Sequence, residues 1–220
     1  MFEAVLFDWD GTLADSRQVV VASFQKALNE INCKISAEFI EQRIGIGSAE
    51  TFREILRYSE TSFDGALIKR LIEAKIKNEI EMSKDVNLFN GSLQLLQSLH
   101  NKIRLGLASM NDRAVINYLL RMMNLQRFFA VVVTAGDIVH PKPHPEIFLK
   151  CASKLKSNPE KCVVLEDSTF GVEAAKTAKM KCIAVLTGVH SKKMLEKAGP
   201  NLIVDSFKES QSEILKFIFH

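Results

Sequence analysis

"LFDWDGTLADS", residues 6–16, begins as a buried strand and then does what a strand avoids. After the apolar run Ala4, Val5, Leu6 and Phe7, it places Asp8 and Asp10 two residues apart. In extended backbone that spacing turns both carboxylates to the same side. Two anions so close repel one another, and unless a cation sits between them at least one is driven toward its neutral form or toward solvent, at a cost that burial raises. The fold and the chemistry of the chain follow from where that cation comes from.

The rest of the sequence supplies a frame for the pair. Of 220 residues, 47% are hydrophobic and 25% charged, the profile of a soluble globular protein with material for one large or two small domains. The net charge of +3 is small and its lysines are dispersed, so neither nucleic acid nor a membrane is expected as a partner. Cys33, Cys151, Cys162 and Cys182 lack any CxxC or zinc-ligand spacing, which fits a reducing, cytoplasmic setting. No apolar run approaches the ~18 residues of a membrane span, and no basic leader precedes the first strand. The chain is therefore expected to be neither exported nor inserted.

From residue 87 onward, short β-branched runs alternate with helical patterns, the signature of βαβ units and a parallel sheet. Strands are expected at about 4–8, 103–108, 129–134, 162–166, 182–186 and 202–204, with helices near 92–100, 112–124, 145–155, 170–179, 191–198 and 207–218. Residues 16–86 break this rhythm. They show helical spacing, as in Val20, Phe24 and Leu28 or Phe52, Ile55 and Leu56, and no convincing strand. A crossover needs only a dozen or so residues, so this stretch reads as a separate helical domain on linkers near 14–18 and 83–90.

In an open α/β sheet, ligands bind outside the carboxyl ends of the strands. The first strand ends in Asp8-Trp9-Asp10-Gly11-Thr12, the second in Ser109-Met110-Asn111-Asp112, and the fourth in Glu166-Asp167-Ser168. All converge on one rim. Lys142, between Pro141 and Pro143 in "HPKPHPE", sits in a stiffened loop that can aim its ammonium inward. Four carboxylates, Asp8, Asp10, Glu166 and Asp167, make a hard oxygen-rich site suited to Mg²⁺. One carboxylate is then free to attack a phosphoryl group and another to carry a proton, with Lys142 and Ser109 holding the phosphoryl oxygens. Met110 and Asn111 are placed to offer backbone N–H groups to phosphate. His140 and His144 read as exposed loop histidines, and Met122 and Met123 as helix packing.

These stretches together resemble the haloacid dehalogenase superfamily, and within it the helical-cap phosphatases that include phosphoglycolate phosphatase and β-phosphoglucomutase. "DWDGTLADS" is similar to that family's first motif, "LASMN" to its second, "HPKPHPEIF" to its third and "VLEDSTFGVEAAKTAKM" to its fourth. The resemblance implies an α/β fold with a Rossmann-like parallel-sheet core, residues 1–15 and 87–220, and an inserted α-helical cap, residues 16–86. It implies Asp8 as nucleophile, forming an aspartyl phosphate, and Asp10 as general acid and base, with Ser109 and Lys142 on the phosphate. Mg²⁺ is implied at Asp8, the Asp10 backbone carbonyl and Asp167, with Glu166 a ligand or an orienting partner. Gly11, Thr12, Gly45, Ser48, Lys77, Met110 and Asn111 are the expected substrate-facing residues.

The same resemblance separates the superfamily's reactions. Its dehalogenases lack the second aspartate and its phosphonatases carry alanine there, so Asp10 points to phosphoryl transfer. β-Phosphoglucomutase carries a histidine where this chain has Val20, and an arginine where "IGIGSAE" offers Gly47 and Ser48. Lys77, in "KIKNEI", favours the mutase instead. The expectation is a phosphatase of small phosphorylated metabolites, monomeric or weakly dimeric, with a sugar phosphomutase as the alternative.

Overall fold

The computed structural model describes all 220 residues. Its centre is a six-stranded, wholly parallel sheet in the order β5-β4-β1-β6-β7-β8. The strands are β1 (Ala4–Phe7), β4 (Arg104–Ser109), β5 (Val131–Thr134), β6 (Cys162–Glu166), β7 (Lys181–Val185) and β8 (Leu202–Val204). Helices α5 (Ser92–Leu99), α6 (Arg113–Met122), α7 (Glu146–Lys154), α8 (Thr169–Thr177), α9 (Lys192–Ala198) and α10 (Phe207–Phe219) connect and cover them. This is the Rossmann-like α/β arrangement expected from the alternation.

β1 shows why the sheet needs helices on both faces. Val5 and Phe7 point into one apolar cluster, with Leu96, Leu119 and Ile214, whereas Ala4 and Leu6 point into the other, with Ile147, Phe148 and Val172. Successive side chains of a strand alternate faces, so an unbroken apolar run is stable only when both are covered. Each large side chain in such a core is worth about 2–5 kcal/mol against truncation to alanine.

Between β1 and β4 the chain makes four helices, α1 (Arg17–Asn29), α2 (Ala37–Glu41), α3 (Ser48–Tyr58) and α4 (Gly65–Glu81). They enclose a third apolar cluster, in which Val20, Phe24 and Leu28 meet Phe52, Ile55, Leu56 and Leu71. The linkers hold a feature that short apolar runs did not reveal. β2 (Ala14–Asp15) and β3 (Asn87–Leu88) pair antiparallel, Ala14 opposite Leu88 and Asp15 opposite Asn87, so the chain leaves and re-enters the core through one two-stranded ribbon. Two residues per strand carry too little pattern to be read from sequence.

Met123 packs on the first cluster as expected, but Met122 is exposed. Successive helical residues differ by about 100°, so only one of the two can face the sheet. Trp9 is fully buried in the first cluster, beneath the site rather than lining it. All four cysteines are buried and unpaired. No helix is long and apolar enough to cross a membrane.

Candidate active site

Register brings the rim together. Phe7 lies level with Leu107 of β4 and Leu165 of β6, so Asp8 emerges beside Ala108 and Glu166 at the point where the sheet's strand order turns. The Asp8 N–H donates to Leu165 O at 3.0 Å, which continues the ladder one residue past the strand.

Beyond Asp8 the backbone turns. The N–H groups of Thr12, Leu13 and Ala14 all donate to Trp9 O, and Gly11 takes φ +86°, a conformation only glycine adopts freely. The turn separates the two aspartates that extended backbone would have placed side by side. Asp8 Oδ1 accepts from Lys142 Nζ at 2.6 Å, while Asp10 accepts from Ser16 Oγ at 2.6 Å and from Asn111 Nδ2 at 3.2 Å.

Lys142 brings one cation to this rim. Its ammonium is fully buried, bonded at 2.6 Å to both Asp8 and Glu166 and at 3.4 Å to Ala108 O. Burial works against that charge, but Asp8 and Glu166 outweigh it and hold the lysine above its ordinary pKa. Glu166 is saturated. Its Oε2 accepts from Asp167 N, Ser168 N and Ser168 Oγ, each at 2.9 Å, while Oε1 faces Lys142. Ser168 in turn caps α8 by accepting from Gly171 N–H, and a Cβ on Gly171 would stand 1.9 Å from the Glu166 carboxylate.

Asp8, Glu166 and Asp167 bring carboxylate oxygens within 4.8 Å of one another, all buried, against the single charge of Lys142. The donor set is entirely hard oxygen, and the surplus of negative charge suits a divalent ion of the Mg²⁺ class. Burial pushes the Asp8 carboxyl up, aided by Glu166 and Asp10 and opposed by Lys142. Asp167 is raised well above the usual carboxylate value by burial, then Glu166 and Asp8. Such surplus repulsion is what a bound cation relieves. Asp10 keeps its carboxylate outside this trio; burial and then Glu79 raise it to about 6.

The structure redistributes several expected substrate-facing residues. Gly45, Ser48, Met110 and Asn111 line a cavity beside Asp8 and Asp10, as do Val20, Phe24, Arg43 and Lys75. Gly11 and Thr12 do not. Thr12 Oγ1 donates to Asp167 Oδ1 at 2.8 Å, and a Cβ on Gly11 would lie 2.3 Å from Asp167 Oδ2, so both serve that carboxylate. Ser109 is fully buried and its Oγ accepts the Asn111 N–H at 3.1 Å, so that backbone N–H, expected to face phosphate, is already engaged. Asn111 works through its side chain instead.

Lys77 is exposed on α4, and the lysine that reaches the site is Lys75. Two residues along a helix is a rotation of about 200°, so the two lysines occupy opposite faces. Lys75 Nζ donates to Asn111 Oδ1 at 2.9 Å and lies 2.5 Å from Glu79 and 3.4 Å from Asp112. Glu79 Oε1 accepts from Asn111 Nδ2 at 2.7 Å, and Ser48 Oγ donates to Asp112 Oδ2 at 2.7 Å. Lys75, Glu79 and Asp112 thus join the helical insert to the rim. The sequence signal was present as an i,i+4 Lys–Glu pair on one turn, indistinguishable there from a solvated pair.

His140 and His144 are exposed, with ring centroids 4.6 Å apart, and His140 Nδ1 lies 3.0 Å from Glu146. Burial raises the Cys151 thiol to about 12 and the Cys162 thiol to about 11, which leaves neither as a nucleophile near neutrality.

The pyrophosphatase PpaX of Oceanobacillus iheyensis is 29% identical over 206 residues, 93% of either chain. The fructose-1-phosphate phosphatase YqaB of Escherichia coli is 26% identical over 188 residues, 84% of this chain and 96% of that one. Among solved structures, β-phosphoglucomutase from Clostridium difficile superimposes with a TM-score of 0.88 at 28% identity, over 99% of this chain and 97% of the mutase. The profile of haloacid dehalogenase-like hydrolases matches residues 5–185, and the chain belongs to that family.

Proposed function

We propose that the protein is a Mg²⁺-dependent, cytoplasmic phosphatase of small phosphorylated metabolites, working through an aspartyl phosphate on Asp8. The observation that carries this reading is the buried Lys142 ammonium held 2.6 Å from Asp8 beside the Glu166–Asp167 carboxylates. An anion-rich pocket with one fixed cation is poised to take up an ester phosphate only together with a divalent ion. Asp8 and Asp167 would hold that ion, with the Asp10 backbone carbonyl. Glu166, both oxygens engaged, orients Lys142 and the Asp167–Ser168 backbone. The ion supplies charge neutralisation for the ester's oxygens.

An Asp8 carboxylate oxygen attacks phosphorus as the bond to the leaving oxygen breaks, and Asp10 delivers the proton that the leaving alkoxide needs. Asp10 then takes a proton from the water that attacks the phosphoryl group, and the Asp8–phosphorus bond breaks to release inorganic phosphate. A pKa of about 6 lets Asp10 serve in both directions near neutrality. Lys142 balances charge at the phosphoryl oxygens.

The insert, residues 16–86, acts as a cap. The cavity it closes over Asp8 and Asp10 holds about 30 Å³ of free space, room for a couple of waters and for no phosphate ester. Opening of the cap on the β2–β3 ribbon would admit the substrate, and closure would exclude bulk water.

Hydrolysis is favoured over the mutase alternative by two lining residues. Val20 and Ser48 stand in the cavity where the mutase resemblance calls for a histidine and an arginine. Neither can hold a released sugar phosphate for return transfer. The test is Mg²⁺-dependent release of phosphate from 4-nitrophenyl phosphate, abolished by EDTA and by Asp8→Asn. Incubation with a hexose 1-phosphate gives free phosphate if the reading holds, and the 6-phosphate if the protein is a mutase. Robust turnover by Asp8→Asn overturns it.

A further inference from the structure

The cavity beside Asp8 is lined by two cationic side chains, Lys75 and Arg43. Neither is free. Lys75 Nζ donates to Asn111 Oδ1 and Asp112 Oδ2 and forms a buried ion pair with Glu79 Oε2. Arg43 Nε donates to Glu54 at 2.6 Å and its Nη1 to Phe39 O at 2.8 Å, with the guanidinium 3.5 Å over the Phe39 ring. Two cations therefore face three carboxylates. The remaining lining consists of Val20, Phe24 and Ile44, which are apolar, and the Ser48 and Thr51 hydroxyls. Those hydroxyls donate to Asp112 and to Gly47 O, which leaves each oxygen with lone pairs able to accept.

Resting on the phosphatase reading, we propose that this wall selects phosphate esters whose leaving group is uncharged and hydroxyl-bearing, a polyol or sugar, and that Glu79 enforces the selection against leaving groups with a second anion. An anionic tail pairing with Lys75 would have to displace Glu79 from it. Glu79 sits one turn along the same helix, is 1% exposed, and also holds Asn111, so it has nowhere hydrated to go. Stripping a buried carboxylate of its partner is strongly unfavourable. A hydroxyl needs no such displacement. It donates to the open oxygens of Ser48 and Thr51, while Phe24 and Val20 cover carbon.

The experiment compares 2-hydroxyethyl phosphate with phosphoglycolate, equal in size and differing by an alcohol for a carboxylate, in the full chain with Mg²⁺. The expected kcat/KM is at least tenfold higher for the alcohol. Glu79→Gln, which frees the Lys75 charge, should bring the ratio to one or below, chiefly by lowering KM for phosphoglycolate. Asp112→Asn, at a more accessible carboxylate, should move the ratio the same way by less, and covers the case in which Glu79→Gln does not fold. A wild-type ratio at or below one overturns the inference, as does a ratio that neither variant moves. Turnover of 4-nitrophenyl phosphate distinguishes the failures. Hydrolysis of that ester with the wrong ratio sinks the specificity alone, whereas no turnover of any ester sinks the phosphatase reading with it.

Discussion

Lys142 and Asp8 form a fully buried ion pair at 2.6 Å, with the lysine delivered by a proline-flanked loop and the aspartate by the strand at the centre of the sheet. Across the ammonium, at the same distance, lies Glu166. Two carboxylates thus depend on one cation.

Replacing that cation leaves both buried charges without compensation. Lys142→Met is expected to destabilise the protein by about 3–5 kcal/mol and to lower kcat at least a hundredfold. Urea unfolding monitored by circular dichroism, with and without Mg²⁺, checks the first and 4-nitrophenyl phosphate kinetics the second. A stable, active Lys142→Met protein would contradict the charge balance described above.

Thr12 touches Asp167 rather than the cavity, so its loss should register in ion binding before substrate binding. Thr12→Val keeps the side chain's shape and removes the donor to Asp167 Oδ1. Mg²⁺ affinity should fall about tenfold, with KM at saturating Mg²⁺ little changed and Thr12→Ser restoring the affinity. Calorimetric titration of Mg²⁺ reads this directly.

Gly11 combines φ +86° with a Cβ position 2.3 Å from Asp167 Oδ2. Gly11→Ala therefore incurs both a left-handed backbone, roughly 1–2 kcal/mol, and displacement of the Asp167 carboxylate. A fall in melting temperature together with weaker Mg²⁺ activation is the expected pair of effects. Loss of stability with unchanged activation would show that Asp167 does not hold the ion.

The pH dependence has a definite sign. Asp8, Asp10 and Asp167 all stand above their ordinary carboxyl values when folded, through burial first and neighbouring carboxylates next. Such groups contribute stability that is complete below the unfolded value near 3.8 and is lost as pH rises through their raised folded values, about 6 for Asp10. Mg²⁺-free protein should therefore lose stability steadily between pH 5 and pH 8. Added Mg²⁺ should raise the melting temperature more at pH 8 than at pH 5; equal shifts at both would refute the assignment.

How far this was readable in the sequence differs from residue to residue. Asp8, Lys142, Glu166 and Asp167 follow from strand ends, because a parallel sheet carries whatever succeeds each strand to one edge. Asp10 was placed correctly at that edge but not in direction, since the bonds of Thr12, Leu13 and Ala14 to Trp9 O turn it away from Asp8. Thr12 lies in the first motif, yet nothing local tells a hydroxyl facing substrate from one facing a carboxylate 155 positions later. Lys75 and Lys77 differ by half a helical turn, and only the docking of α4 on Asn111 and Asp112 selects between them.

By itself, then, the sequence determined the parallel sheet, the helical insert and the chemistry crowded at the strand ends, because hydrophobic period and strand succession are local quantities. Which hydroxyl steadies Asp167, which lysine enters the cavity, and that Glu79 cancels its charge were decided by tertiary packing. These depend on contacts between segments far apart in the chain, where a rotation of one helix exchanges a solvated ion pair for a buried one.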